Sequence, residues 1–183
     1  MLSPFFRTIG LAALLVLLSA CASAPTNPLT SAQAQSLLPE RDLVGKSVGR
    51  GEFSAINGTA RSFTAYLDGS WDGETLTLVE DFEYDDGQKD RKTWRLTKLP
   101  SGEYSGTRED VIGTARGYLD GPTFRLEYKI RLQNEDGEPG MTVTFKDVLA
   151  LRPDDVIVNT ATIGKWGFKV GEVNLTITPA PDS

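Results

Sequence analysis

Thr123-Phe-Arg-Leu-Glu-Tyr-Lys-Ile-Arg-Leu-Gln133 alternates apolar and polar side chains without a break. Phe124, Leu126, Tyr128, Ile130 and Leu132 fall on one side of an extended chain; Arg125, Glu127, Lys129, Arg131 and Gln133 fall on the other. Side chains of a strand point to opposite faces with a period of two, so this stretch is one strand with a dry face and a wet face.

The same pattern continues in both directions. Strands are expected near 47–56, 61–68, 74–84, 88–98, 103–110 and 113–120, and again near 141–151, 155–163 and 172–178. Turn clusters separate them: Asp68-Gly69, Asp72-Gly73, Asp85-Asp86-Gly87, Pro100 to Gly102, Asp120-Gly121-Pro122, Gly137 to Gly140 and Pro153 to Asp155. Short turns between consecutive strands make an antiparallel up-and-down meander. An open meander of this length leaves two edges unpaired, and closure removes both. The expected fold is therefore all-β, a lipocalin-like (calycin-like) barrel of about 8–10 strands, preferred to a sandwich and spanning residues 45–178. Gly49 and Gly51, in Gly49-Arg-Gly51-Glu-Phe53, let the first strand bend where the barrel closes.

The hairpin of 74–98 fixes its own register. A two-residue loop at Asp86-Gly87 would set Leu78 against Arg95 and Phe82 against Arg91. A three-residue loop, Asp85-Asp86-Gly87, instead sets Leu76 against Leu96, Leu78 against Trp94, Asp81 against Arg91 and Glu83 against Lys89. Every pair is then compatible, so the second register is expected. It turns Glu80 inward, opposite an inward Lys92. A charged pair inside a barrel is costly unless hydrated or compensated. Glu80 and Lys92 are therefore the candidate anchor for a ligand's head group, against the reading of a hydrated pair at the barrel mouth.

Composition excludes several activities. The 183 residues carry no histidine and one cysteine, Cys21. Histidine triads, histidine-ligated haem, most zinc or copper sites, disulfides and CxxC redox motifs are thereby excluded. No cofactor and no metal are expected. The net charge is −6 and no basic run reaches five residues, so nucleic-acid binding has no electrostatic footprint. The length suits one domain with one core, expected as a monomer.

The N-terminus reads as an address. Arg7 precedes an apolar run, Ile9–Leu18, far shorter than the roughly 20 residues that span a bilayer. Leu18-Ser19-Ala20-Cys21 follows. Small residues before a cysteine whose thiol takes acyl chains resemble the bacterial lipobox. Residues 1–20 are then a lipoprotein signal peptide, and Cys21 is the lipidated first residue of the mature chain. Ala22 and Ser23 lack the aspartate that marks inner-membrane retention in enteric bacteria, so the periplasmic face of the outer membrane is the expected location. Residues 21–44, small, polar and proline-rich, read as a flexible tether, and 179–183 as a loose tail.

Three segments, Gly49-Arg-Gly51-Glu-Phe53, Glu80-Asp-Phe-Glu-Tyr-Asp-Asp-Gly87 with Trp94, and Asn159-Thr-Ala-Thr-Ile-Gly-Lys-Trp-Gly-Phe-Lys-Val-Gly-Glu172, occur in this order. Together they resemble a family of proteobacterial lipoproteins known only as a domain of unknown function, DUF3833. Arg50 stands where that family leads one to expect an aromatic residue. The resemblance implies export and a lipid anchor, and brings no activity.

Other candidates are weaker. The acidic run Glu74, Glu80, Asp81, Glu83, Asp85, Asp86 and Asp90 lacks calcium-loop spacing and reads as a charge-paired sheet face. Glu80 and the inward Asp147 are the best pair for a carboxylate hydrolase, but nothing in the sequence ties them together. Trp166-Gly167-Phe168, flanked by Lys165 and Lys169, reads as a plug at one barrel end within an irregular crossover, or else as an aromatic–basic membrane contact. Three functions follow. The first is a non-enzymatic envelope lipoprotein whose barrel holds a small apolar or amphiphilic molecule. The second is a structural or assembly accessory with a solid core and a protein partner. The third is a carboxylate-only enzyme.

Overall fold

The computed structural model describes residues 25–26, 29, 35–133 and 138–180. The expected signal peptide, Cys21 and residues 181–183 lie outside them. Ten strands follow in chain order: β1 (Gly45–Ala55), β2 (Ala60–Trp71), β3 (Thr75–Tyr84), β4 (Lys89–Lys98), β5 (Tyr104–Thr107), β6 (Ala115–Asp120), β7 (Thr123–Gln133), β8 (Pro139–Leu151), β9 (Ile157–Lys165) and β10 (Phe168–Pro179). Each pairs antiparallel with its neighbours in sequence, and β1 pairs with β10, which closes the barrel. The meander and its closure are thus as the alternation requires. The closing seam runs from Ser47 opposite Pro179 to Ala55 opposite Gly171.

The β3–β4 hairpin has the register that charge and apolar pairing select. Leu76 faces Leu96, Leu78 faces Trp94, Glu80 faces Lys92, Asp81 faces Arg91 and Glu83 faces Lys89. Arg91 Nη2 donates to Asp81 Oδ2 at 2.7 Å, and Lys89 Nζ to Glu83 Oε1 at 2.6 Å.

One end of the barrel, the base, is closed by the chain that precedes β1. A short helix, α1 (Pro39–Asp42), starts with its proline at the first helical turn, where a missing N–H costs nothing. Leu37 and Leu43 on its flanks are buried in the core. Glu40 accepts a hydrogen bond from the buried Tyr104 hydroxyl at 2.6 Å, and Leu37 N donates to Pro122 O at 3.0 Å. A Cβ on Gly69 would collide with the Leu43 carbonyl, so the segment docks because residue 69 has no side chain. Residues 37–43, expected to be tether, therefore belong to the domain. Two buried leucines outweigh a composition that otherwise reads as loose.

The opposite end is the rim. It carries the tips of β1–β2, β3–β4, β5–β6, β7–β8 and β9–β10. The β9–β10 connection is a two-residue hairpin, not an irregular crossover: Trp166 and Gly167 have φ of 52° and 85°. Such turns need positive φ at both central residues, which favours Asn-Gly and strains a tryptophan. Trp166 is 86% exposed and Phe168 57%. The expected plug is therefore wrong. A tight turn at the end of two full-length strands projects its side chains away from the barrel.

Candidate functional site

Inward positions differ in burial along the barrel axis, most clearly on β1–β3. Toward the base, Leu67, Leu76, Leu96, Tyr104, Phe124, Ile157 and Ile177 are all buried. Tyr104 and Phe124 meet edge to face with centroids 5.3 Å apart. Toward the rim, the inward side chains Phe53, Phe63, Phe82, Tyr84 and Phe145 are only half-buried. Phe63 packs against Phe82 at 5.6 Å and Tyr84 at 6.0 Å. These rings face into the barrel and are only partly covered, whereas Ile130, Val143 and Ile163 toward the same end are buried.

Charged groups sit where the two halves meet. Arg108 follows β5 and continues the inward series Tyr104, Gly106, Arg108. Gly106 leaves the space that Trp94 and Leu96 occupy. The Arg108 guanidinium lies 4.7 Å from the Trp94 ring centroid and 5.3 Å from that of Tyr128, and Trp94 and Tyr128 touch edge to face. Its Nε donates to Asp110 Oδ1 at 2.7 Å, and its Nη1 stands 3.9 Å from Glu80 Oε2. Burial opposes this charge, but Tyr128, Asp110 and Glu80 around it hold the guanidinium pKa above its usual value.

Glu80 is nearly buried, with 12% of its side chain exposed. Loss of hydration pushes its carboxyl up to about 7; Arg108 opposes the shift and Asp147 adds to it. Asp147, on β8, is also pushed up to about 7 by burial, against Arg108 and against hydrogen bonds from Asn159 and Tyr128. The Tyr128 hydroxyl donates to Asp147 Oδ2 at a long 3.4 Å. Asp147 Oδ1 and Asn159 Oδ1 are buried without a hydrogen-bond partner. Buried acceptors are rarely left so, and a pair of them at one level of a barrel marks an unmet demand for donors.

The sequence-predicted pair is placed as cross-strand neighbours, but the two charges are not each other's compensation. Lys92 Nζ lies 2.9 Å from Asp90 Oδ2 and 3.9 Å from Asp110 Oδ2, whereas Glu80 has Arg108. Asp90 precedes Lys92 on the same inward side and reaches its ammonium first. Glu80 and Asp147, unlinked in sequence, are brought into one electrostatic cluster. Arg108 and Asp110 were missed. The signal was present: residues 104, 106, 108 and 110 keep one parity, which continues the inward face of β5 past its last paired residue.

The comparisons place this geometry among known folds. A phycobiliprotein lyase of S type from Guillardia theta superimposes with a TM-score of 0.57 at 12% identity, covering 78% of this chain and 90% of its own. The protein Rv2717c of M. tuberculosis superimposes with a TM-score of 0.56 at 16% identity, covering 80% of this chain and 100% of its own. At such identities the likeness is one of fold, a lipocalin-like, calycin-type barrel. No functionally curated protein matches the chain in sequence. The family model described as "protein of unknown function (DUF3833)" matches residues 15–179, and the chain belongs to that family.

Proposed function

We propose that the protein is a lipid-anchored envelope lipoprotein, held to the periplasmic face of the outer membrane by acylated Cys21. Its barrel takes up a small amphiphilic molecule without transforming it. One observation carries the binding reading. The inward rings of Phe63, Phe82, Tyr84 and Phe145 are half-open to solvent above a floor where Asp147 Oδ1 and Asn159 Oδ1 lack donors. A ligand with hydroxyl or amine donors at its head and an apolar body meets both demands. The head would reach the Asp147 and Asn159 acceptors beside Arg108, and the body would lie against the phenylalanines. Glu80 and Lys92 then border the head without gripping it.

The non-enzymatic reading rests on the carboxyls. An acid–base pair needs its two members pushed apart in pKa. Glu80 and Asp147 are both raised, each to about 7, by the same loss of hydration. The lipid anchor rests on Leu18-Ser19-Ala20-Cys21, which the family match includes.

Two measurements test these readings. Radiolabelled palmitate is expected to enter the wild type and not Cys21→Ala; a labelled variant would overturn the anchor. Native mass spectrometry of protein extracted from membranes is expected to show a bound small molecule. That molecule is lost in Asp147→Leu and in Phe145→Trp, which remove the acceptor and enlarge the ring beside it. The same clean mass for all three proteins would overturn ligand binding.

A further inference from the structure

The interior is not filled evenly around its circumference. Val173 and Leu175 on β10 pair with Phe53 and Gly51 on β1 and face inward with them. Both are only partly covered, as are Phe53 and the neighbouring Phe63 on β2. Partial exposure of side chains that point inward means that accessible space lies between them. That space reaches β9, because Asn159 pairs with Leu175, faces inward and is itself only partly covered. Asp147 on β8 is the diagonal neighbour of Asn159 on the same inner face, since Leu149 faces Asn159 and Asp147 faces Ala161. Asp147 is 8% exposed.

The cations of this interior are already engaged. Arg108 is held by Asp110 and Glu80, and Lys92 by Asp90 and Asp110. Arg61, nearer the rim, is held by Asp86. Asp147 makes no ion pair among the described residues. It accepts from Tyr128 and Asn159, yet its Oδ1 and the Asn159 Oδ1 both lack a donor. The Tyr128 ring stacks on that of Phe145, centroids 5.1 Å apart, and Phe145 lies two residues from Asp147 on the inner face of β8. The site therefore combines a carboxylate without a counter-charge, a second free acceptor and aromatic rings beside them.

We propose that the ligand's head is a primary ammonium seated between Asp147 Oδ1 and Asn159 Oδ1, with its apolar body along Val173, Leu175, Phe53 and Phe63. A hydroxyl brings a single donor and no charge, so it would meet one acceptor and leave the carboxylate uncompensated. An ammonium brings three donors and the missing charge, and hydrogen bonds between ionised partners are roughly twice as strong as neutral ones. Ring faces attract the same cation. An anionic head would set like charge against Asp147 and Glu80. In the free protein a proton takes the place of the cation, because burial pushes the Asp147 carboxyl up to about 7. The inference rests on the reading that the barrel binds a small amphiphile and narrows it to a cationic one.

The test uses the chain purified from membranes in detergent micelles, with water-soluble probes that share a phenyl ring and differ in the head: phenethylamine, 2-phenylethanol and phenylacetate. Calorimetric titrations are run at about pH 8, above the value of Asp147 and below that of an alkylamine, and corrected against bare micelles. Phenethylamine is expected to bind at least about tenfold more tightly than 2-phenylethanol, with phenylacetate weakest. Asp147→Asn, which keeps the size and removes the charge, should bring the amine down to the level of the alcohol. The ranking of the probes on the wild type decides even if that variant fails to fold. An alcohol or carboxylate that binds as tightly as the amine overturns the ammonium head and leaves a ligand-binding barrel. Binding of no probe above bare micelles also overturns the ammonium head, and only a clean native mass of the extracted protein beside it removes the ligand reading itself.

Discussion

The two halves of the barrel interior obey different rules. The base half buries Leu76, Tyr104 and Phe124 almost completely and is sealed by Leu37 and Leu43 from outside the sheet. The rim half exposes its inward rings in part and places Arg108, Glu80 and Asp147 beneath them. One end of the barrel holds the fold together, which frees the other to carry groups that a stability-driven core would exclude.

Substitutions should separate the halves. Phe124→Ala is expected to lower stability by about 3–5 kcal/mol, the usual loss for a fully buried ring. Phe63→Ala in the rim half is expected to lose less than about half of that, because its ring already meets water. Urea midpoints of the two variants decide, and equal losses would erase the distinction.

A second, smaller effect lies between the halves. Arg108 is the counter-charge of Glu80, so a double-mutant cycle with Glu80→Gln and Arg108→Met should show coupling of about 1–3 kcal/mol. The cycle of Glu80→Gln with Lys92→Met should stay within about 0.5 kcal/mol. The reverse order would restore the pairing that the sequence suggests.

The pH dependence follows from the same cluster. Glu80 and Asp147 have ordinary values of 4.5 and 3.8 and folded values of about 7. Between these limits the folded chain binds more protons than the unfolded one, so stability falls as pH rises. The urea midpoint should therefore decline from about pH 4 to pH 7 and level off above it. Glu80→Gln and Asp147→Asn should each flatten the decline. Carboxyls held low, such as Asp81 by its hydrogen bond from Arg91 and Glu103 by that from Arg116, act in the opposite sense and only at more acid pH.

The smallest effect concerns the rim. Trp166→Asn places a residue that tolerates positive φ in the β9–β10 turn and should raise stability by up to about 1 kcal/mol. Thermal unfolding reads this directly. A loss of stability would mean that the indole makes a contact its exposure conceals.

How much of this was legible in the sequence depended on the range of the signal. Alternation along Thr123–Gln133 and charge pairing across Asp85-Asp86-Gly87 are local, and both strand and register could be read from them. Asp147 could be turned inward by parity alone. The base closure could not be read, because a four-residue helix has no periodicity and the docking of Leu43 depends on the missing side chain of Gly69, distant in sequence. Glu80 was placed correctly and given the wrong partner. Cross-strand register names the nearest neighbour in the sheet, whereas the barrel interior brings in Arg108 from two strands' length away in the chain. Trp166 was misplaced because apolar character suggested a plug, while the length of β9 and β10 left only two residues for a turn.

The seam between β1 and β10 joins the first strand to the last, with Val48 opposite Thr178 and Phe53 opposite Val173. Every other pairing in the sheet links neighbours along the chain and can form as the polypeptide emerges. The seam cannot. It must wait until the final dozen residues have been delivered, and until then both edge strands are open templates for other chains. Delivery of the C-terminal strand is thus the event that ends its vulnerable period. Loss of even a few residues before Pro179 would leave that period without an end.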